Sequence, residues 1–202
     1  MQGFSYVIPR DYGFAPNPFG WCCSLATCKP NIRRGASVGD WVIALGSAKH
    51  NLQGSLVCLM KVSEKITFDA YWSDPRFQYK KANMDGSLIQ AWGDNIYHQE
   101  NGAWVQENSH HSLENGQVNE HNLNRDTGVD AVLLSDYFFY FGGNAKFLPT
   151  EIFNKIKIVR GFKRISEEDV NELVTFIENE FEAGLVGNPL QFNSFERYDG
   201  VS

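Results

Sequence analysis

The chain has 202 residues, of which 43% are hydrophobic and 14% aromatic, and its formal net charge is −6. This length allows one well-filled core, and the acidic balance argues against a long nucleic-acid track, which needs an extended basic face. No apolar run approaches the ~20 residues of a membrane helix, and no signal sequence is visible before the first apolar run. We therefore expect a cytoplasmic protein with reduced cysteines and no membrane partner.

Short apolar runs bounded by turn residues predict β-strands in two parts of the chain. In chain order the predicted strands are Phe4–Ile8, Trp41–Leu45, Ser55–Val62, Ile66–Tyr71 as an extension of the same meander, and Ala131–Ser135. The turn before the second strand is Gly39-Asp40, and Asn51–Gly54 supplies the turn after it.

A polar segment rich in Asn, Gln, His, Glu and Ser follows, from Gly93 to Asp130. A stretch this long is uncommon in a compact domain unless it is functional or disordered. The wider segment 91–140 holds Arg125 as its single basic residue against eight acidic ones. It is therefore a candidate docking surface for another protein.

The last predicted element is an amphipathic helix that begins after Ser166. Ser is a favoured N-cap, and three acidic residues follow it, where the helix dipole favours negative charge. Apolar residues recur at helical spacing at Val170, Leu173, Val174, Ile177 and Phe181. Gly184 and Gly187 are expected to stop the helix. The polar tail that follows is expected to be loosely held.

These elements predict one domain over residues 1–202. It consists of a core at 1–165, the C-terminal helix at 166–187 and the tail at 188–202. The strand-rich first half and the helical end predict an α+β fold with a mostly antiparallel, barrel-like sheet.

Several dense motifs make the chain similar to a known family, nucleotide modification associated domain 2. The motifs are Asp11–Phe19 (DYGFAPNPF), Cys28–Arg33 (CKPNIR), Gly39–Trp41 (GDW), Gly93–His98 (GDNIYH) and Leu133–Gly142 (LLSDYFFYFG). The resemblance covers roughly residues 4–165. By genomic context it implies a place in bacterial or phage systems that modify DNA bases or handle modified nucleotides.

A second, shorter resemblance is to EVE and YTH domains. It rests on Gly39-Asp40 before an apolar strand, Ser47, a return strand after Gly54, and Asp74-Pro75 followed by Phe77 and Tyr79. Those domains are PUA-like barrels that hold a modified base in an aromatic-lined pocket. The resemblance implies a PUA-like, EVE-like barrel here, although fold analogy alone does not establish function.

An aromatic slot with a few cations is the predicted ligand site. Aromatic rings stack on bases, Asn and Asp discriminate base edges, and Lys and Arg bind phosphate. The residues predicted to bind ligand are Asn17, Lys29, Arg33, Trp41, Ser47, Phe77, Asp94, Asn95 and Tyr97. Burial in the core is the competing interpretation for each aromatic residue, and a solvated surface is the competing one for the cations.

Catalysis has weaker support in the sequence. The candidates are Asp11, Asp94 and His98 as acid–base groups, with Asp40 and His111 as further possibilities. No nucleophile elbow, Walker loop or dinucleotide fingerprint is present in the sequence. Cys22, Cys23 and Cys28 lack zinc-ligand spacing, so we expect structural cysteines, no metal and no cofactor.

The favoured function is recognition of a nucleotide or modified nucleobase in a DNA-modification or defence context. The first alternative is an enzyme of base modification or nucleotide hydrolysis that uses Asp and His residues in the same cleft. The second alternative is a protein-interaction component of a defence cluster. The expected partners are thus a nucleotide or modified base and, in the last case, neighbouring proteins of such a system.

Overall fold

The structure, a computed structural model, describes residues 1–200. The strands in chain order are β1 (Gly3–Ile8), β2 (Cys23–Leu25), β3 (Trp41–Gly46), β4 (Ser55–Lys61), β5 (Glu64–Ile66), β6 (Tyr97–Glu100), β7 (Ala103–Gln106), β8 (Val132–Ser135), β9 (Tyr137–Tyr140), β10 (Lys146–Phe147), β11 (Phe162–Ile165) and β12 (Gly184–Leu185). The α-helices are α1 (Pro30–Gly35), α2 (Phe68–Ser73), α3 (Leu88–Ala91), α4 (Glu120–Thr127), α5 (Thr150–Ile156) and α6 (Glu167–Glu178).

The main sheet has the strand order β11-β1-β3-β4-β9-β12, and β10 pairs with one end of β4. Within it β1 runs parallel to β3, β9 runs parallel to β12, and the other neighbours are antiparallel. A second sheet has the order β2-β8-β5, and β6 and β7 form a separate hairpin.

The predicted PUA-like, mostly antiparallel barrel is therefore wrong. The main sheet is open, with β11 and β12 at its two edges, and it mixes parallel and antiparallel pairs. The chain after β1 passes through β2 and α1 before β3, and a crossover of this length allows β3 to lie parallel to β1. Strand β8 pairs with β2 and β5 in the second sheet and does not extend the main one.

Two local predictions also differ from the structure. The predicted strand Ile66–Tyr71 keeps only its first residue in β5, because Thr67 caps α2 by accepting a hydrogen bond from Ala70 N at 3.2 Å. Helix α6 has Ser166 as its N-cap, but it ends at Glu178, well before Gly184.

Side-chain alternation along β3 shows how the layers are stacked. Trp41 and Ile43 pack with the apolar faces of α5 and α6, whereas Val42 and Ala44 pack with α1 and the second sheet. The main sheet thus lies between a helical layer and a layer that contains the second sheet. A third, aromatic-rich cluster lies on the far side of the second sheet and includes side chains from α2, α4 and the tail. No α-helix within residues 1–200 is long and apolar enough to cross a membrane.

The C-terminal tail packs against the domain, unlike the loosely held segment expected from its composition. The backbone N–H of Gln191 donates to Asp11 O at 2.8 Å, and that of Tyr198 donates to His110 O at 2.8 Å. The Asn122 side chain donates to Tyr198 O at 2.8 Å. The tail therefore forms one wall of the candidate functional site. Residues 201 and 202 of the predicted tail lie outside the described residues.

Candidate functional site

A cavity of about 280 Å³ opens where the end of β1, the turn before α1, the loop after β7, helix α4 and the tail meet. Its walls combine aromatic rings, cations and two adjacent histidines. The lining residues are Ile8, Pro9, Arg10, Tyr12, Phe14, Ala15, Cys28, Lys29, His110, His111, Arg125 and Tyr198.

Two side chains that line this cavity, Cys28 and His111, form a chain of polar contacts that ends at the buried Asp126. Cys28 Sγ lies 3.8 Å from His111 Nε2, and His111 Nδ1 lies 2.8 Å from Asp126 Oδ2. The Nδ1 atom faces a carboxylate and therefore carries a proton, while Nε2 faces the sulfur. This order of thiol, imidazole and carboxylate is that of an activated cysteine nucleophile.

The turn that presents Cys28 has an uncommon backbone. Cys28 and Lys29 both adopt left-handed conformations, with φ of 56° and 40°, before Pro30 begins α1. Non-glycine residues in this region cost conformational energy and concentrate at functional sites. The Cys28 backbone N–H donates to Asp126 Oδ1 at 2.9 Å, which ties the turn to α4.

Asp126 is fully buried and is held by several donors besides His111. The Tyr97 hydroxyl donates to its Oδ2 at 3.1 Å, and Arg125 Nε donates to Oδ1 at 3.3 Å. The carboxylate therefore has a fixed orientation, which in turn fixes the ring of His111.

Attraction between His111 and the two groups beside it, Cys28 and Asp126, favours a thiolate on Cys28 paired with an imidazolium on His111. Burial alone would lower the pKa of His111, but the charges of Asp126 and Cys28 outweigh it and raise that pKa to about 9. Burial alone would raise the pKa of Asp126, yet the imidazolium of His111 lowers it to about 2. Burial likewise opposes ionisation of Cys28, and the adjacent His111 charge nevertheless lowers the pKa of the thiol.

The neighbouring His110 has the opposite character. Burial, with the charge on His111, lowers its pKa to about 3, so the ring is neutral at physiological pH. Its Nδ1 lies 2.6 Å from the carbonyl oxygen of Glu196 and must donate to it. Nε2 of His110 is therefore an unprotonated acceptor at the cavity.

Two cations at the cavity have unsatisfied hydrogen-bonding capacity. The ammonium of Lys29 lies 4.8 Å from the Tyr6 ring centre, and it has no hydrogen-bond or ion-pair partner among residues 1–200. Arg125 Nη2 is buried and lacks a hydrogen-bond partner within the same residues. Buried donors without partners are costly, so this arrangement favours an anionic ligand.

Cys28, His111 and Asp126 form a group whose ligand atoms lie within 4.8 Å of one another, which is close enough for a metal ion. The site's charge argues against that use. The Asp126 carboxylate is already engaged by His111, Cys28 N–H and Arg125, and the Lys29 and Arg125 cations disfavour another positive ion.

The residues predicted to bind ligand do not share one cavity. Lys29 lines the cavity described above and also a second one, which Ser47 lines as well. The other seven are nearly or fully buried and line neither cavity; they are Asn17, Arg33, Trp41, Phe77, Asp94, Asn95 and Tyr97.

Arg33, predicted to bind phosphate, is instead fully buried and engaged by backbone oxygens. Its guanidinium donates to the carbonyl oxygens of Cys28 at 2.8 Å, Asp126 at 2.6 Å, and Val129 and Ala131 at 2.7 Å. Arg33 therefore joins the Cys28 turn to the end of α4 and supports the site from beneath.

Polar members of the predicted slot are held by hydrogen bonds inside the core, although Asn95 Oδ1 has no hydrogen-bond partner among the described residues. Asp94 accepts hydrogen bonds from Ser24 Oγ at 2.6 Å and Tyr71 OH at 2.8 Å, and burial raises its pKa. Asn95 donates to Tyr71 O at 2.8 Å. Asn17 accepts from the buried ammonium of Lys80 at 2.8 Å.

The aromatic members serve as core side chains. Trp41 belongs to the cluster that packs against α6, and Phe77 packs on Tyr71 with ring centres 5.0 Å apart. Tyr97 is buried as well, but its hydroxyl reaches Asp126. Tyr97 is thus connected to the site through the carboxylate.

The three catalytic candidates lie apart from one another. Asp11 accepts a hydrogen bond from Tyr140 OH and another from Leu190 N at 3.0 Å, and burial raises its pKa. His98 pairs with Glu107 at 2.9 Å. Asp94 lies in the polar core already described.

The sequence-based list of ligand and catalytic candidates left out Cys28, His110, Asp126 and Arg125, which lie at this site, and it considered His111 only as a proton carrier. One available signal was the polar segment itself, which supplies all but Cys28. Another was a cysteine followed directly by Lys29 and near to an adjacent pair of arginines, because nearby cations activate thiols.

Comparison with known proteins gives the family. Residues 1–196 match the family model described as nucleotide modification associated domain 2, so the chain belongs to that family. The resemblance inferred from the motifs is therefore confirmed. The comparison with curated proteins and that with solved structures gave no match.

Proposed function

We propose that this chain is a cysteine-dependent enzyme of nucleotide modification, with Cys28 as the nucleophile. The observation that carries the proposal is the Cys28–His111–Asp126 arrangement, with contacts of 3.8 and 2.8 Å at the wall of a cavity. The family's association with nucleotide modification supports a nucleotide or modified base as the substrate.

In the covalent step, the Cys28 thiolate attacks an electrophilic carbon of the substrate. The C–S bond forms, and the displaced electron pair moves to the heteroatom bonded to that carbon. That heteroatom then takes the proton from His111 Nε2, which leaves a neutral imidazole. Asp126 orients the ring and stabilises the imidazolium before the transfer.

The walls of the cavity suit a planar, anionic substrate. Tyr12, Phe14 and Tyr198 offer ring faces or edges for a base, and stacking contributes about 1–3 kcal/mol per base. Lys29 and Arg125 offer donors to a phosphate or to a developing oxyanion.

The test is the pH dependence of Cys28 alkylation by iodoacetamide, followed by peptide mass spectrometry. An ordinary thiol loses about tenfold in rate for each pH unit below its pKa of about 8.5. We expect the Cys28 rate to fall by much less than this between pH 8 and pH 6. The variant His111→Gln should restore the ordinary tenfold loss per unit.

Internal controls come from the buried cysteines Cys22, Cys23 and Cys58, which should remain unmodified in the folded protein. An ordinary pH profile for Cys28 in the wild-type protein would rule out the thiolate–imidazolium pair. An unchanged profile in His111→Gln would show that another group activates the thiol.

Recognition without chemistry is a second candidate, and the aromatic walls, with donors on Lys29 and Arg125 Nη2 that lack hydrogen-bond partners among the described residues, favour it. The variant Cys28→Ser separates the two, because serine preserves the shape of the cavity. Binding of a nucleotide by this variant, with no covalent adduct or product from the wild-type protein on prolonged incubation, would favour recognition.

A further inference from the structure

A second cavity, of about 470 Å³, adjoins the first and shares Pro9 and Lys29 with it. Its walls come from the ends of β1 and β3, the segment after β3 and the loop between α5 and β11. The polar groups that line it include Ser47, Gln53 and Arg160. Lys29 is thus the cation at the junction of the two cavities.

The loop that borders the second cavity is strongly basic in an otherwise acidic chain. Residues 155–164 contain five basic residues and no acidic one. Four of them are engaged. Lys155 pairs with Glu172, Lys157 donates to Asn154 Oδ1 at 2.8 Å, Lys163 donates to Lys155 O, and the Arg164 guanidinium lies 5.9 Å from the centre of the Phe4 ring. Arg160 has no hydrogen-bond or ion-pair partner among the described residues, and its side chain lines the cavity.

Ser47 adds a hydroxyl donor at the same wall. Its Oγ accepts from the backbone N–H of Lys49 at 3.1 Å, which leaves the hydroxyl hydrogen available to a ligand. A guanidinium and an ammonium that have no hydrogen-bond or ion-pair partner among the described residues, and a hydroxyl hydrogen that is free to donate, therefore belong to residues that line the two adjoining cavities. Together they match the oxygens of a phosphate group.

We infer that the second cavity binds a phosphate group of the same substrate whose base occupies the first cavity, with Lys29 between the two. This inference rests on the proposed function. The phosphate has two chemical sources, the outer phosphates of a free nucleoside triphosphate or the phosphate that links a neighbouring nucleotide in a strand. The acidic net charge restricts the contact to one or a few phosphates in either case.

The experiment measures binding by calorimetry with the full chain carrying Cys28→Ser. The probes are thymidine and deoxyadenosine 5′-monophosphates, the matching triphosphates, and the 5′-phosphorylated dinucleotides pTpT and pdApdA. A probe that reaches the second cavity should bind about tenfold or more tightly than its monophosphate. Arg160→Gln should abolish that gain and leave monophosphate affinity unchanged. The series that shows the gain, triphosphate or dinucleotide, identifies the source.

Lys157→Gln is the matched control, since Lys157 lies on the same basic loop but lines neither cavity. Equal affinity for all probes, equal weakening of all probes by Arg160→Gln, or no binding of any probe would overturn the inference. The alkylation profile of Cys28 is measured separately in the wild-type protein. A low-pH-reactive Cys28 together with any of these binding results would overturn the phosphate site and leave the proposed enzyme standing.

Discussion

Replacement of Arg33 by methionine is expected to lower the free energy of unfolding by about 3–5 kcal/mol. Methionine fills much of the space of the arginine side chain but donates no hydrogen bond. Four carbonyl oxygens, including those of Cys28 and Asp126, would each lose a donor, and Val129 O would keep the backbone N–H of Ala131. Urea unfolding of the variant and of the wild-type protein at pH 7 measures the difference.

The adjacent Arg34 provides a matched control. Its side chain is exposed and donates to Asn31 Oδ1 at 3.2 Å, so Arg34→Met should change stability by less than about 0.5 kcal/mol. The contrary result is an Arg33→Met variant that unfolds at the same urea concentration as the wild-type protein and loses nucleotide binding. That result would show that Arg33 binds the ligand, as the sequence predicts, and would contradict the structural role assigned to it.

Replacement of His110 by phenylalanine is expected to stabilise the protein at pH 4 by about 2 kcal/mol and to destabilise it at pH 8 by about 1 kcal/mol. Because the pKa of His110 is lowered to about 3, only the unfolded state gains a proton on this histidine as the pH falls from about 6.5 towards 3. His110 therefore lowers the free energy of unfolding of the wild-type protein by about 1.4 kcal/mol for each pH unit over that range.

Phenylalanine removes this loss and keeps the ring contacts with Phe14 and Trp92, whose centres each lie 4.8 Å away. It also leaves Glu196 O without its donor, which explains the cost at pH 8. Urea unfolding at pH 4, 6 and 8 measures both the stabilisation at low pH and the destabilisation at high pH. The control is His121→Gln, which changes an exposed histidine. The same penalty at every pH would mean that His110 has the same pKa in the folded and unfolded states, which would contradict the lowered pKa.

His111 acts at the other end of the pH range. Its pKa is raised to about 9, so its contribution to stability is complete below about pH 6.5 and is lost as the pH rises through 9. The combined contribution of these two histidines to stability is therefore largest around pH 6.5.

Local structure followed from the sequence where a short segment carries its own signal. Strands β1, β3 and β4 are apolar runs with turn residues nearby, and the capping of α6 by Ser166 is a local hydrogen bond. The way in which those strands pair could not be predicted from the local sequence. The parallel pair β1–β3 depends on a crossover of more than thirty residues, and no strand pattern distinguishes it from an antiparallel pair.

The site was harder to predict because its members lie far apart in sequence. Cys28 and His111 are separated by 83 positions, and no periodicity relates them. Arg33 was predicted to bind phosphate because a guanidinium matches phosphate oxygens and because Arg33 lies in the Cys28–Arg33 motif. Its four carbonyl partners come together only in the tertiary structure.

The walls of the first cavity are drawn from Ile8 to Tyr198, almost the full length of the described chain. A compound that binds in this cavity therefore binds the folded protein and not the unfolded chain. Its occupancy at a hundred times its dissociation constant should add about 2.7 kcal/mol to stability. Melting temperature is consequently a sensitive screening signal for candidate nucleotides, and it responds to binding whether or not a reaction follows.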